Sequence, residues 1–210
     1  MVNYDRAFFG FISGITVIFS GVAFAQPAHA HTPSTTSLTI GIPAITCPDD
    51  GQISLNRCAV YWSKTTDFLQ TQLYQDEVSA LPQRYRPMFT IAENDWRRYR
   101  QRHCDAMIEP FTGASMAPML YHRCLATVTN DRIADLQGLT PVSDSPDVDQ
   151  IQSLITELKQ DPVQQIWNRY QAEYCQFEAQ AFRQSPRSQS CPSRLSQARL
   201  RHLKAMMESR

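Results

Sequence analysis

The sequence predicts an all-α protein, built as two related disulfide-stapled helical hairpin units after a signal peptide. Three observations carry this reading. No segment sustains the alternation of a strand, while runs free of Pro and Gly place apolar residues three and four apart. A motif occurs twice, as Trp96, Tyr99, Cys104, Cys124, Arg132 and Leu136 and again as Trp167, Tyr170, Cys175, Cys191, Arg199 and Leu203. The cysteines number six and follow a segment of export type, so an oxidising compartment and paired thiols are expected.

The duplication rests on spacing. In both copies Tyr stands three after Trp and Cys eight after it, and Arg and Leu stand eight and twelve after the second Cys. Only the gap between the cysteines differs, 20 positions against 16, which reads as a length change in a surface loop. Chain order and the duplication favour local pairs: Cys47 with Cys58, Cys104 with Cys124, Cys175 with Cys191. A bridge closing a loop of that size contributes about 3 kcal/mol in the chain-entropy model.

In chain order, Ala7 to Ala25 is free of charge, follows Arg6, and runs into Ala23-Phe24-Ala25 and Ala28-His29-Ala30, two small-x-small sites. This is the pattern of a cleavable signal, and no transmembrane span is expected after processing. The expected organisation is a signal and cleavage region at 1–30, a flexible leader at 31–46, a first unit at 47–138, a linker at 139–147 and a second unit at 148–210. Asp49 and Asp50 offer a cap for a helix over Leu55 to Leu81, with Tyr61, Thr65, Phe68, Gln72 and Val78 as inward candidates. A second helix is expected from Pro87 to Glu109, with Phe89, Ala92, Trp96, Tyr99 and Met107 on one face. A third runs from Ala117 to Gln137, closed by Gly138. In the second unit a short helix ends near Gln160, a longer one starts at Asp161-Pro162, and the last opens at Cys191-Pro192 with Leu195, Leu203 and Met206 inward.

Charge and chemistry narrow the function. The formal net charge is zero, with 20 basic and 20 acidic residues, which speaks against a nucleic-acid partner. From Arg183 to Arg210 there are seven basic residues and one acidic, whereas Asp131 to Asp161 carries seven acidic and two basic. Arg132 and Arg199 fall on apolar helix stripes, where a guanidinium needs a carboxylate or carbonyl partner, and Asp67 is the candidate for Arg132. His103-Cys104 and His122-x-Cys124 could be drawn as a zinc site, but the second copy keeps both cysteines with Tyr174 and Gln189 in place of the histidines. No metal, cofactor or catalytic set is therefore expected, and the chain is read as a non-enzyme.

The stretch from Cys47 to Leu136 resembles the N-terminal domain of the lysozyme inhibitor LprI family. The resemblance rests on Cys47-x10-Cys58, Asp67 and Tyr74 seven apart, Trp96-x2-Tyr99-Arg100-x3-Cys104, Gly113-Ala114-Ser115, Cys124 and Arg132-x3-Leu136. Where the family usually has Leu-Asn after the aspartate this chain has Gln70-Thr71; its second unit lacks the Gly-Ala-Ser loop and has Gln171 at the position of Arg100. The resemblance implies a small, exported, disulfide-bonded helical domain of the bacterial envelope, periplasmic or extracellular, whose partner is lysozyme or another muramidase. The candidate contacts are Glu109, Gly113 and Ser115 in the loop between the second and third helices, together with the acidic linker. The competing expectation is a scaffold module whose Arg-rich final helix, Arg194 to Arg210, meets an anionic cell-wall polymer or lipid headgroups of the envelope.

Overall fold

The computed structural model describes residues 42–140, 146–183 and 185–209, and every regular element among them is helical. The expected signal peptide, the leader as far as residue 41 and positions 141–145 of the expected linker lie outside the described residues. No helix among the described residues is long and apolar enough to cross a membrane.

Helix α1 spans Gln52–Ala80, a run with neither Pro nor Gly. The aspartate cap expected before it does not form. Asp49 Oδ1 instead accepts the Gly51 N–H at 2.9 Å, closing a short turn, and α1 starts with no side-chain cap. The leader does not run free as far as Cys47. Asn130 holds Ile42 at both its N–H and its carbonyl, and the Trp62 indole donates to that same carbonyl at 2.9 Å.

Helix α2 covers Arg86–Ile108 and helix α3 covers Ala117–Leu136, joined through a 3-10 turn at Glu109–Phe111. Gly138, at φ 69°, ends the α3 region in the left-handed conformation that favours glycine. The long helix α1 lies along α3, and that seam buries small and polar residues: Ala59, Ser63, Thr66 and Gln70. The expected inward set on α1 is thereby corrected. Tyr61 and Phe68 are 64% and 67% exposed and Gln72 is also outside, because two helices this close leave no room for rings between them.

Helix α4 spans Val148–Glu157, with Asp147 accepting from the N–H groups of Asp149 and Gln150. Helix α5 spans Asp161–Ala181 and starts on Asp161 itself. Helix α6 runs over Pro186–Glu208 and begins before the expected Cys191-Pro192. The Ser185 hydroxyl caps it by accepting from Ser188 N–H at 3.2 Å, and Pro186 occupies the first turn, where no N–H is missed; Pro192 then sits inside the helix.

The two hairpins, α2 with α3 and α5 with α6, do not keep separate interiors. Helix α2 packs along α5, so that Phe89, Trp96 and Tyr99 meet Trp167, Tyr170, Tyr174 and Phe177 in one core. Phe89 and Phe177 rings lie 4.9 Å apart, and Tyr99 meets Trp167 edge-on at 4.5 Å. A small second cluster joins Ile155 and Leu158 to Leu203 and Met206. Disulfides join Cys47 to Cys58, Cys104 to Cys124 and Cys175 to Cys191; the last two pairs both hold their Cα atoms 5.6 Å apart.

Candidate functional site

The repeated residues converge on the joint between the hairpins. Arg132, fully buried, takes Glu93 from its own hairpin, with Nη2 at 3.1 Å from Oε2, and donates from Nη1 to Tyr170 Oη of the other hairpin at 3.0 Å. Arg199 repeats the arrangement in mirror order. Its Nε donates to Gln164 Oε1 at 2.8 Å within its own hairpin, and its Nη1 reaches Tyr99 Oη of the other at 3.1 Å. Glu93 and Gln164 both stand three before their tryptophans. His103 and Tyr174 both stand one before a cysteine, and each lies against the opposite arginine: His103 Nδ1 at 3.3 Å from Arg199, the Tyr174 ring 4.2 Å from the Arg132 guanidinium.

Around Arg132 the charges balance. Asp135 accepts from both Arg132 and Arg194 at 3.1 Å, and Glu178 accepts from Arg194 and Arg187, so three carboxylates face three guanidinium groups inside the joint. Burial raises the pKa of the Glu178 carboxyl although both arginines pull it the other way. For Arg132 burial works against the charged form, yet Tyr170, Tyr174, Glu93 and Asp135 outweigh it and hold the guanidinium charged. Such groups stabilise a fold only while every partner is kept.

Around Arg199 they balance at a distance. A guanidinium can only donate, so Tyr99 Oη accepts from it and its own hydrogen goes to His202 Nδ1 at 2.8 Å. His202 is then neutral, with its hydrogen on Nε2, which donates to Asp131 Oδ2 at 2.9 Å. Arg199 thus reaches Asp131 only through Tyr99 and His202, and its Nη2 has no partner among the described residues. By the same logic His103 accepts at Nδ1 and carries its hydrogen on Nε2. Burial pushes both imidazoles below the usual range, and Arg199 adds to this at both.

Other sequence-singled residues lie elsewhere. Arg100 donates to Asp67 at 2.7 Å and to Thr129 at 3.0 Å, above the Trp96 ring. Asp67 therefore belongs to Arg100, and the expected Asp67 to Arg132 pair is corrected: Asp67 is half-exposed, whereas Arg132 lies at the buried joint with Glu93 and Asp135. Leu136 is buried in the common core. Glu109, Gly113 and Ser115 are exposed, and their loop is tied to α1 where Asn56 Nδ2 donates to the Ser115 carbonyl at 3.0 Å. Gly113 holds φ 86°, a backbone state that a side chain would strain. A cavity of about 490 Å³ near the start of α1 is lined by Asp49, Asp50, Trp62, Met119 and Arg123. Among the described residues of the final helix, Arg194 and Arg199 are buried, and Arg187 and Arg201 are paired with Glu178 and Asp131.

The sequence reading missed Glu93, Asp135, Glu178 and His202, and weighed His103 only as a zinc ligand. The first and last pairs of the repeat did carry a signal, since Glu93 and Gln164, and His103 and Tyr174, stand at matching offsets. Residues 47–136 match the model of a family described as Lysozyme inhibitor LprI. No curated protein and no solved structure matches the chain.

Proposed function

We propose, from the match of residues 47–136 to the lysozyme inhibitor LprI family, that this protein is an exported, non-catalytic binder of lysozyme-like muramidases that blocks the substrate cleft. The family match is the observation that carries the reading. Three disulfides fit a chain that folds outside the cytoplasm, in the periplasm or beyond it.

The fold limits where such a partner meets the matched segment. Helix α5 covers the aromatic side of α2, and α3 lies against α1, which leaves the Glu109 to Ser115 loop and the outer side of α1 open. Lysozyme is strongly basic, and like charges across an interface are costly. The outer side of α1 carries Arg57 and Lys64 together with Asp67 and Asp76, all exposed, so its charges offset and offer a basic enzyme no net attraction. The loop end offers Glu109 and, at the cavity near the start of α1, Asp49 and Asp50. The contact is therefore assigned to the loop end, with Gly113 setting the shape of the inserted turn.

The test is cell-wall digestion by chicken-type lysozyme with the exported chain added at intact disulfides. Stoichiometric inhibition is expected, and Glu109→Lys with Asp50→Lys should weaken it by about tenfold or more, mostly through slower association at low salt. Undiminished digestion across a panel of muramidases would refute the reading. Inhibition that ignores the loop-end charges would keep the partner and move the contact.

A further inference from the structure

We propose that the cavity enclosed by α2, α3 and α6 is a binding site for a small amphipathic carboxylate, held through the His103 Nε2–H at its floor. The space measures about 380 Å³, and Met107, Leu120, Val128 and Ala205 supply its apolar lining. That volume falls in the range of small-molecule sites, roughly 300 to 1,000 Å³, and a few placed polar groups in an apolar wall are what such sites use for orientation.

The polar group is set by its neighbours. His103 lines the cavity and is 2% exposed. Its Nδ1 accepts from Arg199, which leaves the hydrogen on Nε2, at the ring edge turned away from Arg199, without an acceptor among the described residues. The donor is not sealed off from the cavity, so a ligand oxygen can take the place of water on it. The charge of the ligand follows from Arg199. This guanidinium is fully buried directly behind the imidazole, has only the neutral acceptors Gln164, Tyr99 and His103, and reaches Asp131 through two intervening groups. Its field therefore favours a negative ligand oxygen on the far side of His103, in a setting of low dielectric. Exposed Arg123 and Glu208 both stand at the lining and offset one another, so the charge closest beneath the floor is Arg199, whose counter-charge on Asp131 lies two groups away. An alkyl chain along Met107, Leu120, Val128 and Ala205 completes the fit. The site does not depend on muramidase binding, which is assigned to the loop end.

Calorimetric titration of the exported chain with decanoate, decanol and decyltrimethylammonium below their micelle concentrations tests this. Saturable binding of decanoate is expected, with decanol about tenfold weaker or more and the ammonium inactive. His103→Phe should weaken decanoate by about tenfold while leaving decanol unchanged. Ala205→Trp, at a half-buried position that tolerates a larger side chain, should abolish binding by filling the space. Absence of decanoate binding, equal affinity for acid and alcohol, or an Ala205→Trp protein that binds as before would each overturn the proposal. Should His103→Phe fail to fold, the acid-to-alcohol ratio and Ala205→Trp still decide it.

Discussion

Glu93 and Gln164 differ by one oxygen for a nitrogen, and that difference sets how each buried arginine is held. Arg132 receives two carboxylates directly, while Arg199 receives an amide oxygen, a phenol and an imidazole. Glu93→Gln removes a charge that Arg132, Arg97 and Gln70 all use, and it should cost about 3 kcal/mol or more in urea denaturation, since it leaves a buried cation underpaired. Gln164→Glu runs the other way. It places a carboxylate where an oxygen already sits 2.8 Å from Arg199 Nε, and the melting temperature should rise. A fall in melting temperature with Gln164→Glu would mean that Arg199 is already sufficiently compensated by Asp131.

At the scale of elements, the hairpins are held differently at their two ends. Disulfides fasten one end of each, and the arginine and tyrosine contacts work farther along. Replacing Cys175 and Cys191 together by serine should lower stability by about 3 kcal/mol in a chain-entropy account, with helix content by circular dichroism retained. Loss of helix content in native buffer would show that α6 depends on the bridge for its formation. Helix existence was readable along the chain because periodicity and breakers are local signals: Pro87, Gly138 and Asp161-Pro162 each mark a boundary within a few residues of the observed one. The start of α6 was not, because Ser185 competes with Cys191-Pro192 as a start and only the capping geometry decides. Nor was the inner face of α1, since a close helix seam inverts the usual rule that rings go inside.

Across the whole molecule, acid should act first on the joint. The folded state holds His103 and His202 neutral and below their ordinary range, through burial foremost, so the stability they supply is fully present above the unfolded value near pH 6.5 and is lost as pH falls from there toward the lowered folded values. Asp131 behaves otherwise. Burial raises its carboxyl, but His202 and Arg201 outweigh that, so its contribution persists to lower pH than an ordinary aspartate would allow. Thermal melts between about pH 7.5 and 5 should therefore stay level down to about pH 6.5 and then fall, with a slope that His103→Gln makes shallower. An unchanged slope would place the acid response elsewhere. The repeated motif was legible as spacing, and so were the residues that later proved to form the joint. Their partners were not, because Tyr99 meets Arg199 and Tyr170 meets Arg132 at separations of 100 and 38 residues, and no local pattern reports a crossing of that kind.

That crossing has the form of a contact between two like bodies, each lending a tyrosine and receiving one. Between free molecules such an exchange would come apart on dilution. Here both halves are threaded on one strand across a short connection, so their encounter is governed by an effective concentration that no dilution can lower. The protein should therefore keep its joint at any concentration, however few copies are present.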